Sequence, residues 1–166
     1  MGREETEHLD DFASAFEAAF GRLQVRLEEV CGGAESWAAG VAVGVRAALE
    51  FAAADPEAAN TLTNEALGAG LDGVARRERL LAYAGEALAP GRQLRDRGDQ
   101  LPQMTEHAIA GGIASLIADR VARGRAAELP GLAREAIQFA LTPYLGTDEA
   151  IRVASLASRP GPETDR

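Results

Sequence analysis

The stretch from about Met104 to Arg123 carries two apolar stripes where a helix at a protein surface needs only one. Ile109, Ile113, Leu116, Ile117 and Val121 recur at three- and four-residue steps, the spacing of a helix face. The second stripe is uniformly small: Ala108, Gly111, Gly112, Ser115, Ala118 and Ala122. At roughly 100° per residue the two sets cover most of the circumference, so this helix calls for burial on nearly every side. The segment from Pro130 to Leu145 has the same character. Leu132, Ala133, Ala136, Ile137, Phe139, Ala140, Leu141 and Tyr144 spread over about half of its perimeter, and Arg134, Glu135, Gln138 and Thr142 form a polar strip. A subunit of 166 residues has room for one such helix at its centre. Two neighbouring ones predict a second copy of the chain, with a seam through Ala108, Gly111, Gly112, Ser115, Ala118, Leu132, Ala136, Phe139 and Ala140. The competing reading is that alanine and glycine simply permit close packing within one subunit.

The rest of the chain also reads as helix. Leu9, Phe12, Phe16, Phe20, Leu23, Leu27 and Val30 line one stripe, Glu17, Arg22, Arg26 and Glu28 take the other side, and Gly32-Gly33 ends the segment. Ser36 is the predicted N-cap of a helix carrying Trp37, Val41, Gly44, Val45, Ala48, Leu49 and Ala52. Asp55-Pro56 pairs a cap with proline at the first helical position and opens a short helix to Leu67. Gly68, Gly70 and Gly73 interrupt it before a fourth helix resumes through Val74, Leu80, Leu81, Ala84 and Leu88. Pro90 to Pro102 reads as a loop, and Thr147-Asp148-Glu149 caps a last helix to about Ala157. The expected architecture is all-α, an orthogonal or antiparallel helical bundle over residues 9–157, with a frayed segment 1–8 and a disordered tail 158–166.

Composition removes whole classes of chemistry. All 17 basic residues are arginine, which excludes a Walker A loop, a Schiff-base lysine and a lysine-activated serine. A single cysteine, Cys31, excludes a disulfide framework and a multi-thiolate metal site. No apolar run approaches the roughly 18 residues of a membrane span. The N-terminus, Met1-Gly2-Arg3-Glu4-Glu5, lacks the regions of a secretory signal. A cytoplasmic protein is expected. The net charge of −9 argues against direct contact with nucleic acid, whose phosphates call for a basic face.

Motif matches lead to no catalytic centre. Gly68-Ala69-Gly70-Leu71-Asp72-Gly73 fits GxGxxG, yet nothing before it reads as the strand that a dinucleotide site needs, so it is a glycine-rich helix–helix joint. Glu5-Thr6-Glu7-His8 matches the Glu-x-x-His element of di-iron bundles, but His107 has Met104 three residues before it and no second element exists. No serine sits in a nucleophile elbow, and Cys31 beside a glycine pair reads as an ordinary small residue. The clusters Arg76-Arg77-Arg79 and Arg92-Arg95-Arg97 are interleaved with Glu78, Asp96 and Asp99, as on a solvated surface. The expectation is a non-enzyme without metal or cofactor.

The order of elements resembles the C-terminal half of TetR-family transcriptional regulators. The resemblance runs through Trp37 opening an alanine-rich helix, Ala53-Ala54-Asp55-Pro56-Glu57-Ala58, Asn64-Glu65-Ala66-Leu67-Gly68-Ala69-Gly70, Thr105-Glu106-His107-Ala108-Ile109-Ala110-Gly111-Gly112-Ile113, the turn Gly124–Pro130, and Leu141-Thr142-Pro143-Tyr144-Leu145-Gly146. It covers about Leu9 to Ala157. The resemblance implies an all-helical domain that binds a small apolar or amphipathic effector among its helices and forms a homodimer through its last two long helices. Members of that family open with a basic helix-turn-helix, and this chain starts about where that reader would finish, so the expectation is a sensing half without its own DNA contact. Within it, Phe16, Phe20, Asn64, Leu67, Tyr83, Met104 and His107 are the expected pocket residues, where bulk meets a few polar groups. Ordinary core packing is the competing reading for each. The alternative function is a stand-alone helical module that heterodimerises with another regulator.

Overall fold

The computed structural model describes residues 3–94 and 100–157, with side chains from Asp10 onward. Every regular element among them is helical. Helix α1 (Arg3–Cys31) begins inside the segment expected to be frayed. Its aromatic stripe is internal: Phe12, Phe16, Phe20 and Leu23 are buried, with successive phenyl centroids 6.0 and 6.1 Å apart. Ala58, Leu62 and Ala66 close over them from the next helices. Leu9, Glu5 and His8 lie outside the described side chains.

Helix α2 (Trp37–Ala54) starts as its sequence predicts, with the Ser36 hydroxyl accepting from the Ala39 amide at 3.2 Å. It packs against α1 on one side and the C-terminal helices on the other, and its buried residues are mostly small: Val41, Ala42, Ala47, Leu49 and Ala52. Asp55 ends it and caps α3 (Pro56–Asn60) by accepting from the Ala58 amide at 3.0 Å. A π-helical turn, Thr61–Glu65, leads into α4 (Ala66–Gly68). Polar side chains brace that wider turn: Thr63 donates to the Ala59 carbonyl at 2.6 Å, and Asn60 and Thr61 each donate to Glu65 at 2.9 Å.

Helix α5 (Gly70–Leu88) follows the glycine joint. Gly70 has φ +66°, and a Cβ on Gly73 would stand 2.3 Å from the Ala66 carbonyl oxygen, so both positions require glycine for backbone reasons. The GxGxxG match is thus a crossing of two helices. Part of the expected loop forms a 3₁₀ turn, Ala89–Leu94. Arg95, Asp96, Arg97 and Asp99 lie outside the described residues.

Helices α6 (Thr105–Ala122), α7 (Ala133–Leu145) and α8 (Thr147–Ala157) complete the bundle. A 3₁₀ turn, Ala126–Leu132, stands where the sequence predicts the start of α7. Pro130 has no N–H for a helical ladder, while Leu129 in the same turn is fully buried and pins it to the core. The main core gathers Leu49, Ile109, Leu129, Ile137, Leu141 and Tyr144.

The apolar perimeter of α7 is largely covered within one chain, contrary to expectation. Ala150 and Ala154 of α8, both fully buried, lie along it and α2 flanks it. Ala136 and Ala140, expected on the seam, are therefore core residues at 5% and 0% exposure.

Candidate functional site

Between α1, α2, α5 and α6 lies a cavity of about 500 Å³. Its room comes from missing side-chain volume. Gly40, Gly44 and Ala48 follow one another at four-residue steps along α2, and Ala84 and Ala87 of α5 and Ala110 of α6 line it too. Around this small-residue floor stand Leu27, Val41, Val45, Leu88 and Ile113, with the rings of Trp37 and Tyr83. The volume and the apolar lining are those of a small-molecule site.

Polar groups on the lining are few. The Cys31 thiol donates to the Gly40 carbonyl at 3.5 Å, and a Cβ on Gly44 would meet its sulfur at 3.3 Å. Burial pushes this thiol up, so it stays neutral at physiological pH and is a poor nucleophile. The Tyr83 phenol is also pushed up, first by burial and then by the negative charge of Glu28, which keeps it a hydrogen-bond donor. Glu28 and Ser36 are exposed and border the opening. Among the described residues no group of three or more His, Cys, Asp or Glu side chains is placed to hold a metal ion.

One wall of the cavity is tied to α7. The Trp37 indole donates from Nε1 to the Ala87 carbonyl at 2.9 Å and meets Tyr144 edge-on, with centroids 5.1 Å apart. Gly91 fits against both rings: a Cβ there would lie 2.4 Å from Trp37 and 2.8 Å from Tyr144. The Tyr144 hydroxyl donates to Glu106 at 3.0 Å, and Arg92 donates to both oxygens of that carboxylate at 2.7 Å each. Arg92 also donates to the carbonyls of Leu101 at 3.0 Å and Pro102 at 2.7 Å, which anchors the segment ahead of α6. The Arg92 guanidinium holds the Glu106 carboxyl below the usual carboxylate range, and burial, reinforced by the bond to Glu106, holds the Tyr144 phenol well above its own.

Of the seven pocket residues expected from sequence, Tyr83 alone lines this cavity. Phe16 and Phe20 belong to the aromatic core of α1; Phe20 meets Tyr83 edge-on at 5.7 Å and so supports the wall from behind. Asn64 ties the π turn to α6, donating to Asn60 at 3.1 Å and to the Ala118 carbonyl at 3.2 Å. Leu67 and Met104 are exposed at 59% and 67%, and His107 is exposed with Nδ1 3.7 Å from Glu78. These seven do not converge. The signal that marks the cavity is the Gly40, Gly44, Ala48 ladder, which sequence reasoning did not single out.

The expected seam divides in two. Ala108, Gly112 and Ser115 are exposed along α6, Gly111, Ala118 and Leu132 are half-buried, and Phe139 is 51% exposed. The Phe139 ring lies over Gly112, where an added Cβ would stand 3.1 Å from it. Beside that ring a shallow hollow of about 280 Å³ is lined by Gly112, Ile113, Leu116, Glu135, Ala136 and Phe139. Ile113 thus borders both the hollow and the inner cavity.

No protein-family model, curated protein sequence or solved structure matches the chain. Fold and site together define an all-helical domain built around an apolar cavity.

Proposed function

We propose that this chain is the ligand-sensing and dimerisation domain of a TetR-like transcriptional regulator, in which occupancy of the cavity controls DNA binding by a separate reader domain. The observation that carries the reading is the double role of α6. Its inner side, through Ala110 and Ile113, lines the cavity, while Ala108, Gly112 and Ser115 form an exposed small-residue strip beside Phe139. A second copy applied to that strip approaches closely because no large side chain stands in the way, apart from the Phe139 ring that would fill the partner's surface.

Coupling follows from the contacts. A molecule entering between α2 and α5 touches Ile113, whose other side forms the hollow of the dimer face, and Trp37, which leans on Tyr144 of α7. It shifts the relation of the two subunits only as far as its affinity differs between two arrangements, an effect typically of about 1–3 kcal/mol. Helix α1 supplies Leu27, Glu28 and Cys31 to the cavity and, as the element leading out of the domain, is the lever toward a reader. No activated nucleophile or metal centre enters this scheme; the domain is a binder that works in the cytoplasm.

Native mass spectrometry of the purified protein tests both halves. The expected result is a dimer with a co-purifying small molecule that is released on unfolding. A ligand-free monomer that stays monomeric at tens of micromolar in sedimentation equilibrium overturns the proposal.

A further inference from the structure

The cavity has an electrostatic character of its own. Among the described residues, Glu28 is the only formally charged side chain on its lining, and no described arginine or histidine reaches it. The described arginine side chains of α1 are engaged elsewhere: Arg22 pairs with Asp55 at 2.9 Å and Arg26 faces Glu50 at 3.8 Å. On α5, Arg76 and Arg79 are both held by Glu17, and Arg79 lies over the Phe20 ring, away from the cavity lining. An anion entering this space would leave its charge next to apolar walls, with no cation among the described residues to meet it and a carboxylate on the lining, which is the costly arrangement. A cation finds the Glu28 carboxylate at the opening and the Trp37 and Tyr83 rings on the walls, both favourable to positive charge.

We infer that the cavity selects neutral or cationic aromatic molecules and rejects carboxylates and other anions, with Glu28 setting the preference for a cation over a neutral molecule of the same shape. This rests on the cavity being the effector site.

Three probes of one shape test it by titration calorimetry at pH 7: 1-naphthylmethylammonium, 1-naphthylmethanol and 1-naphthylacetate. The cation is expected to bind tightest and the carboxylate at least tenfold more weakly than the cation. Glu28→Gln, an exposed substitution that leaves the packing alone, is expected to weaken the cation about tenfold, tighten the carboxylate and leave the alcohol unchanged. Repeating the cation titration at raised salt separates the Glu28 effect from the diffuse field of the acidic chain, because only the latter fades in both proteins alike. Equal affinities for cation and carboxylate, or a ratio that Glu28→Gln does not change, overturn the charge selection and leave the effector reading standing. Absence of binding by all three probes, or binding unchanged in a cavity-filling Ala84→Trp variant, overturns the effector reading and this inference with it.

Discussion

Gly91→Ala isolates the junction between the cavity wall and α7. The added methyl carbon would lie 2.4 and 2.5 Å from two Trp37 ring atoms and 2.8 Å from Tyr144, whereas carbon atoms rest about 3.5–4.0 Å apart. One or both rings must therefore retreat by about 1 Å. Neither is free to do so: the Trp37 indole is held by the Ala87 carbonyl, and Tyr144 is 1% exposed and bonded to Glu106. Overpacking of this kind costs about 1–3 kcal/mol, and loss of the indole hydrogen bond adds about 1 kcal/mol. The reduced freedom of the unfolded chain returns at most about 1 kcal/mol. The net expectation is a destabilisation of about 2–3 kcal/mol, or a fall in Tm of roughly 4–12 °C for a domain of this size. Trp37 is the only tryptophan, so urea melts followed by its fluorescence report from the junction itself. Gly21→Ala is the matched control: nothing lies within 4 Å of its Cβ, and within α1 it gains up to about 1 kcal/mol from helix propensity. If Gly91→Ala melts within about 1 kcal/mol of the parent, the close packing of Trp37, Gly91 and Tyr144 is refuted.

Four further outcomes follow from the same geometry. Ser115→Arg places a charged side chain on the exposed strip of α6 and is expected to separate the proposed dimer in sedimentation equilibrium while the circular-dichroism melt of the subunit stays within a few degrees; an intact dimer puts the seam elsewhere. The Glu106 carboxyl is held low by Arg92, so it contributes stability above its unfolded value of about 4.3 that is lost as pH falls through the lower folded value. The gap in urea midpoint between the parent and Glu106→Gln is accordingly expected to be constant near neutrality and to close below about pH 4.5; a gap independent of pH down to 3 contradicts the pairing. Phe20→Ala is expected to cost about 3–5 kcal/mol as a core truncation. Tyr83→Ala, at a half-buried cavity wall, is expected to cost less and to change ligand affinity directly, the comparison being made by calorimetry on folded protein at 10 °C.

Periodicity alone carried the secondary structure far. The aromatic stripe of α1, the Ser36 and Asp55 caps and the glycine joint are local devices: a three-to-four-residue repeat, a side-chain oxygen near a free amide, and a backbone position without room for a Cβ. Each is written in neighbouring residues, so each is readable from them. The division of α6 into a large-residue and a small-residue stripe is likewise legible in its spacing, and within the subunit Ala108, Gly112 and Ser115 of the small stripe are exposed.

Tertiary structure decided which apolar surface finds a partner inside the chain. The perimeter of α7 reads as excess until α8 and α2 are seen packed against it, with Ala136 and Ala140 at 5% and 0% exposure, contacts between helices that no helical repeat encodes. The cavity is of the same kind. Gly40, Gly44 and Ala48 look like close-packing positions in a list, and they become a void only because Ala84, Ala87 and Ala110 face them across the gap instead of large side chains. Sequence therefore determined the helices and their sidedness, since those depend on spacing along one segment. The position of the cavity depends on volumes summed over four helices, and that sum exists only once they are brought together.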